Sequence, residues 1–563
     1  MKPIRNKHFE VWPKRLPRVM SPPNTTLWAN LDISRKRFSD RTAFVFIDQS
    51  LSYKALFQEV ETLAGWLHHV AGVRRGDRVP ISFQNSPQFV IAYYAVLRCD
   101  AVVVPVNAMN KAAEIAHYIT DPGARVALVA GDIASEWFAA NELLANEHRL
   151  QHIVVGCYKD YFNDILAAPE TWRPWLAASP TLPAYATHWH DAMRTSHAAP
   201  SAQADATDLA VLPYTSGTTG LPKGCMHTHQ TLMHNVVSGV AWGNATHETV
   251  SLAVVPLFHI TGMQYGLNAT IYLGSTAILM PRWDRELAGA LISKHKVTSW
   301  TMIPTMIVDL LASPNVESFD LTSINYIGGG GAAMPQAVAQ KLFTQFGLRF
   351  VEGYGLTETA APSHSNPPDS PKQQCLGIPY MSTEARVVNP ETFEECDVGE
   401  TGEIVVHGPQ VFKGYWRNES ATRDAFIEID GKPFFRTGDI GRVDEEGYFF
   451  MQDRLKRMIN ASGFKVWPAE VEALLYRHPA IQEACVIAAK DAYRGETVKA
   501  VIVLRANTKD AKDTSAASIM AWAHANMAAY KVPRVIEFID VLPKNASGKV
   551  MWRALQDRES KQN

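Results

Sequence analysis

The sequence is poor in the features that mark extracellular, metal-binding or nucleic-acid-binding proteins. Its six cysteines, Cys99, Cys157, Cys225, Cys375, Cys396 and Cys485, stand at no paired spacing. That argues against a zinc finger or a disulfide framework and leaves thiols in a reducing compartment. Neither charge dominates: 54 Lys and Arg against 56 Asp and Glu give −2, so no polyanion finds a general footing. The N-terminus, MKPIRNKHFEVWPKRLPRVM, is basic but lacks the apolar stretch of a secretory signal. The most membrane-like run, FVIAYYAVLRCDAVVVPV from Phe89, is broken by Arg98 and Asp100. It reads as a buried helix followed by a buried strand. Internal repeats and long low-complexity tracts are missing too. From these absences a cytoplasmic chain is expected, with no nucleic acid partner and no integral membrane segment; peripheral membrane contact and homo-oligomerisation stay open.

What is present is a composition for large cores: 47% hydrophobic and 20% charged residues over 563 positions. That length predicts roughly two to four domains. AFVFI and the LSY after it suggest a hairpin, and YKALFQEVETLAGWLHHV has apolar residues at three- and four-residue spacing. Apolar runs then end repeatedly in glycine- or hydroxyl-rich turns: LAVLPY, VSLAVVPLF, TAILM, VTSWTMIP, SINYIGGGG and LRFVEGYG. Such a rhythm predicts parallel strands whose C-terminal ends carry a site. Past Gly399 the texture turns antiparallel or barrel-like, with GEIVVHG, GYFFMQD and DEEGY. Near DRLKRMINASGF a boundary is expected. Beyond it lie a short helix PAEVEALLYRHP, strands CVIAA and AVIVL, a helix around SIMAWAHANMAA and a last strand VIEFI. The expected fold is a large α/β N-terminal domain of layered βα subdomains plus a small β-barrel-like one, residues 1–453. A smaller, mobile α+β C-terminal domain, 454–563, completes it.

The stretch YTSGTTGLPKG, Tyr214 to Gly224, concentrates three glycines, four serine and threonine hydroxyls and one lysine. Glycine opens backbone N–H groups to close approach, hydroxyls donate, and lysine adds positive charge, as a polyphosphate requires. It is not the ordinary nucleotide-binding P-loop, because Pro222 precedes Lys223 and Gly224 follows it.

This stretch resembles the phosphate-loop signature of the adenylate-forming superfamily, which contains acyl-CoA synthetases, carrier-dependent adenylation domains and luciferases. Further motifs of that superfamily follow in order: VPLFHITGM, GGGAAMP, EGYGLTET, GEIVVHGPQVFKGYW, RTGD, DRLKRMINASGFKVWPAEVE and PKNASGK. The resemblance runs from Gly76 to the C-terminus. It implies an AMP-forming acyl-CoA ligase, in which a carboxylic acid and Mg-ATP give an acyl-adenylate and coenzyme A takes the acyl group. ATP, Mg2+ and coenzyme A are the cofactors and co-substrates so implied.

The resemblance also implies roles. Thr215, Ser216, Gly217, Thr218, Thr219 and Gly220 would wrap the β- and γ-phosphates, with Lys223 adding charge. Gly330, Gly331 and Ala332, with Gly353, Tyr354 and Gly355, would border the nucleotide, Tyr354 packing on adenine. Thr357 would touch the α-phosphate and Glu358 would hold Mg2+ as a hard oxygen ligand. Asp439 would accept hydrogen bonds from the ribose hydroxyls, supported by Arg454. Lys549 would bridge carboxylate and α-phosphate during adenylation. Lys456 falls at the hinge of the mobile domain, and Gly463 would line the pantetheine tunnel after rotation. His259 matches an aromatic or histidine position beside the acyl carboxylate; a buried structural histidine is the alternative.

Specificity is expected from residues 259–267 and from Ile327–Ala332. Glycines 328–331, with Gly262 and Gly266, either leave acyl volume or only permit strand-end turns. The motifs look more like fatty-acyl than acetyl-specific ligases, so a medium- or long-chain fatty acid is expected. Aryl, branched and sulfur-containing acids, and transfer to a carrier protein, stay open. Asp100 stands where the superfamily commonly has glycine, and the sequence offers no reason.

Overall fold

The computed structural model describes residues 5–215, 221–331, 334–461, 464–491, 495–505, 514–544 and 550–562. It divides into two compact units. The larger comprises His8–Glu384 and Val406–Phe435; the other comprises Met1–Lys7, Ala385–Val405 and Arg436–Asn563.

Two layered sheets build the larger unit. In the first, strands Tyr326–Gly329, Ser299–Met302, Val250–Ala253 and Thr276–Leu279 lie parallel, flanked by Phe350–Leu356 on one side and Thr42–Phe46 on the other. The Thr42–Phe46 strand turns back antiparallel on Gln49–Ser52, the expected hairpin. The second sheet places Arg78–Ser82, Val102–Pro105, Val126–Ala130, His152–Gly156 and Ala186–His188 in parallel, with Leu209–Val211 beside Val102–Pro105. Val102–Pro105 and Val126–Ala130 are buried throughout and are continuous apolar runs without alternation, as strands covered on both faces are.

The run with low charge resolves as expected. Helix Pro87–Arg98 is capped by Ser86, starts on a proline that needs no N–H partner, and is buried through Leu97. Arg98 ends it, ion-paired to Glu61 and lying 5.1 Å over the Trp28 ring. Strand Val102–Pro105 is wholly buried.

Asp100, between them, has φ +55°. That left-handed position explains the superfamily's glycine, and Asp is among the side chains that tolerate it. Its carbonyl accepts from Gly76 N at 2.8 Å and its carboxylate accepts from Gln203 N at 2.7 Å.

In the other unit, the C-terminal part of strand Lys432–Val443 pairs antiparallel with Phe449–Arg454. Beyond it, Ile481–Asp491 and Gly495–Leu504 form a long antiparallel pair, and Val535–Phe538 joins the latter in parallel. Helices Pro468–Leu475, Ala516–Asn526 and Trp552–Gln562 complete this α+β module. The last helix has no counterpart in the sequence expectations.

Candidate active site

Strand Phe350–Leu356 delivers the acidic motif. Its first residues lie parallel beside Tyr326–Gly329, Gly353–Leu356 pair antiparallel with Ala361–Ser365, and it ends in a short helical turn, Thr357–Thr359. Glu358 there is only 7% exposed. Its carboxylate accepts a hydrogen bond from Tyr415 Oη at 2.9 Å, and its carbonyl accepts one from Phe412 N at 2.8 Å. Burial, and then the neighbouring Glu358 charge, push the Tyr415 hydroxyl far above its ordinary pKa, so it stays a donor. The Lys223 ammonium sits 4.0 Å over the Tyr415 ring. Lys223 pairs across a two-residue ladder with Thr215, so both ends of the phosphate loop are fixed. Ser216, Gly217, Thr218, Thr219 and Gly220, which form its crest, lie outside the described residues.

Thr357 is held from behind. His227, fully buried, places Nε2 2.7 Å from the Thr357 carbonyl and Nδ1 3.1 Å from Thr231 Oγ1. Burial pulls this imidazole down to about 4, so it is neutral at neutral pH. A carbonyl can only accept, which makes Nε2 the protonated nitrogen. No motif marks this role, since a lone histidine near a strand end is usually packing. Glu352, two residues before Tyr354, was missed likewise. Burial pushes its carboxyl up to about 7, and it accepts from Gln374 N at 3.0 Å.

Beside this turn, Tyr354 carries its ring 5.6 Å from that of His364. The glycine run is explained by strand crowding. A Cβ on Gly329 would meet Met302 O at 1.8 Å, and one on Gly330 would meet Gly353 O at 2.2 Å. Only Gly331, at φ +85°, faces open space, its nearest neighbour 4.0 Å away; Ala332 lies outside the described residues. Gly330→Ala is therefore expected to destabilise the protein by about 1–3 kcal/mol, the usual cost of overpacking. Denaturant midpoints would measure it, and the order of preference among acids should not change.

His259 is exposed, not buried. It caps the turn Ile260–Gly262, its Nδ1 accepting from Thr261 N at 3.3 Å. Met263, fully buried, opens a π-helical segment, Met263–Asn268, a distortion that commonly marks function.

In the smaller unit, Asp439 and Arg454 are direct cross-strand partners, with Arg454 Nε 2.6 Å from the fully buried Asp439 carboxylate. The RTGD turn that presents Asp439 is braced by Glu403, 1% exposed, which takes Arg436 at 2.8 Å and Gly438 N at 3.1 Å. Thr437 adds a bond to Ile404 O at 2.6 Å. Asp453 and Arg457 flank the expected hinge. Asp453 accepts from Ala469 N at 2.6 Å at the start of helix Pro468–Leu475, and Arg457 is paired with Glu472. The Lys456 backbone lies in the turn Leu455–Arg457; Gly463 and Lys549 lie outside the described residues.

Residues 31–416 match the AMP-binding enzyme family, and 470–549 match the AMP-binding enzyme C-terminal domain. The chain belongs to this family. Among its relatives, a long-chain-fatty-acid–CoA ligase of Bacillus subtilis (strain 168) is 36% identical over 98% of this chain and 97% of its own. A feruloyl-CoA synthase of Amycolatopsis sp is 34% identical over 89% of this chain and 92% of its own. A solved structure of ATP-bound MatB from Rhodopseudomonas palustris superposes with a TM-score of 0.82 at 27% identity, over 96% of this chain and 100% of that one. For an AMP-binding enzyme, the Thr357 hydroxyl, the Glu358 carboxylate and the Lys223 ammonium are groups of the kind that a nucleotide requires.

Proposed function

We propose that the chain is an AMP-forming acyl-CoA ligase that activates a medium- or long-chain fatty acid with Mg-ATP. The observation that carries this reading is the cluster at the end of strand Phe350–Leu356: Thr357, Glu358 with its Tyr415 donor, and Lys223 on the Tyr415 ring. The full-length similarity to long-chain-fatty-acid–CoA ligases supports the acid class.

In the first half-reaction a carboxylate oxygen forms a bond to the α-phosphorus as its bond to the bridging oxygen breaks and pyrophosphate leaves. Charge spreads over the phosphoryl oxygens, so positioning and electrostatics carry the step. On this reading Thr357 and Lys549 are assigned to the α-phosphate, the loop 215–220 with Lys223 to the β- and γ-phosphates, and Tyr354 to adenine. Glu358 is the residue that would hold Mg2+, since a carboxylate oxygen suits a hard cation; the metal neutralises phosphate charge when bound. Asp439 takes the ribose hydroxyls with Arg454 beside it. In the second half-reaction the coenzyme A sulfur bonds to the acyl carbon, its proton is lost, and AMP departs.

The C-terminal module is read as a lid turning about Lys456 between the two steps, with Gly463 beside the pantetheine arm. Lys456→Pro is expected to leave pyrophosphate release near wild type. Thioester formation should slow by about tenfold or more, because proline fixes φ near −65° and closes one backbone setting. Single-turnover assays of each half-reaction would check it.

A second reading, an aryl acid such as a hydroxycinnamate, is favoured by the similarity to feruloyl-CoA synthase. A pyrophosphate-release assay over octanoate, palmitate, ferulate and benzoate, with and without coenzyme A, decides. Release with the fatty acids that rises with chain length supports the first reading; release confined to ferulate or benzoate replaces it with the second.

A further inference from the structure

The helix His229–Trp242 is buried on most of its surface, and a fully buried asparagine stands in its middle. Asn235 Nδ2 lies 3.0 Å from Thr359 O, 2.7 Å from Ala360 O and 3.1 Å from Pro362 O. One amide group thus spans three carbonyls of the segment that follows Thr357 and Glu358. Two N–H hydrogens are shared among three acceptors, and only the NH2 end can face them. The Asn235 oxygen has no hydrogen-bond partner among the described residues, so these carbonyls alone orient the side chain. Gln264 adds a weaker contact to Ala360 O at 3.4 Å.

What the amide grips is strained. Ala360 and Ala361 have φ +51° and +82°, two successive non-glycine residues in a region L-residues avoid. Such strain persists only where its surroundings over-determine it. The turn is also pressed against its own strand: a Cβ on Gly355 would meet Ala361 O at 1.8 Å. Buried donors aimed at the strained carbonyls meet that requirement.

We infer that Asn235 is a positioning residue: by clamping the carbonyls of Thr359, Ala360 and Pro362 it holds the strained turn that sets Thr357 and Glu358. This rests on the proposed roles of those two residues in adenylation. Without the clamp the turn relaxes toward negative φ. The Thr357 hydroxyl and Glu358 carboxylate then lose their settings while the acid-binding surface is unaltered.

Asn235→Ala is expected to lower kcat for pyrophosphate release by about 10–10²-fold, the scale of a slightly misplaced group, with KM for the acid nearly unchanged. Val236→Ala, on the same helix and fully buried, takes no part in the clamp and serves as the packing control. It should lower Tm by leaving a cavity, and keep kcat within about twofold of wild type, because the three carbonyl bonds of Asn235 stay in place. Ala360→Gly in the Asn235→Ala background relieves the strain at one of the two residues and should return part of the lost kcat. Hydrogen exchange gives a readout apart from activity. The amides of Leu356, bonded to Thr359 Oγ1, and of Ala360, bonded to Thr357 O, should exchange faster in Asn235→Ala than in Val236→Ala. Should Asn235→Ala fail to fold, Asn235→Ser takes its place in every arm. Wild-type kcat in the asparagine variant, equal loss of kcat in Val236→Ala at equal Tm, or no rescue by glycine overturns the inference. If the wild-type protein releases no pyrophosphate with any acid, the ligase reading fails, and the exchange comparison still decides the clamp.

Discussion

Lys549→Ala is expected to slow pyrophosphate release by about 10²–10³-fold, the usual cost of removing one donor aimed at charge that develops in the transition state. The ammonium is assigned to the first half-reaction only. Adenylation builds negative charge on the phosphoryl oxygens as the carboxylate attacks, and a cation bridging the two groups stabilises that arrangement more than the separated reactants. Thioester formation starts from an acyl-adenylate already made, after the lid rotation about Lys456 that we propose. Coenzyme A supplied with synthetic acyl-adenylate should therefore give thioester at close to the wild-type rate. A loss shared equally by the two half-reactions would remove Lys549 from this role and return it to an ordinary lysine near the C-terminus. Lys549→Arg offers a finer test: the charge is kept but the planar guanidinium is a different donor, so partial activity is expected.

Parts of this architecture could be read before any coordinates, and the reason is local. The hairpin Thr42–Ser52 needs only an apolar run and a short second strand around a turn, and helix Pro87–Arg98 needs only a Ser-Pro start and an apolar run. Short apolar strands ending in glycine or hydroxyl turns likewise show their punctuation. The opposite case is helix Trp552–Gln562, whose WRALQDRESKQ has few apolar residues to establish a period. It is held by tertiary contacts: Leu555 is 3% exposed, Gln556 exchanges hydrogen bonds with Ala488, and Glu559 pairs with Lys499. None of those partners is near it in sequence.

The site divides along the same line. Thr357, Glu358, Lys223, Asp439 and Arg454 stood out because each sits in a motif. His227, Asn235 and Gln264 sit inside helices or beside strands, where a polar residue carries no signal until its carbonyl partners are known. The glycine run shows a further limit. Sequence alone left acyl volume and strand crowding equally open for residues 328–331, and the Met302 and Gly353 carbonyls favour crowding at Gly329 and Gly330.

Glu358→Gln is expected to reduce pyrophosphate release by about 10²–10³-fold and to raise the Mg2+ concentration that half-saturates what activity survives. The substitution is close to isosteric, and the amide oxygen can still accept the Tyr415 hydroxyl that now lies 2.9 Å from the carboxylate. The turn and its Phe412 N–Glu358 O bond involve backbone, so they should persist, and Tm should change little. What disappears is one negative charge at a nearly buried position. A hard divalent cation is sensitive to that loss, whereas the adenine and acyl contacts are not. KM for the acid should thus stay near its wild-type value while the Mg2+ dependence shifts. Tyr415→Phe separates positioning from charge. It leaves the carboxylate and the ring beneath Lys223, and removes one hydrogen bond to a charged group, a loss of about 1.5–3 kcal/mol if nothing replaces it. Its effect on kcat should be smaller than that of Glu358→Gln, about tenfold to 10²-fold on that scale. If Glu358→Gln changes KM for the acid and leaves the Mg2+ dependence alone, Glu358 belongs to the acyl pocket and another group holds the metal.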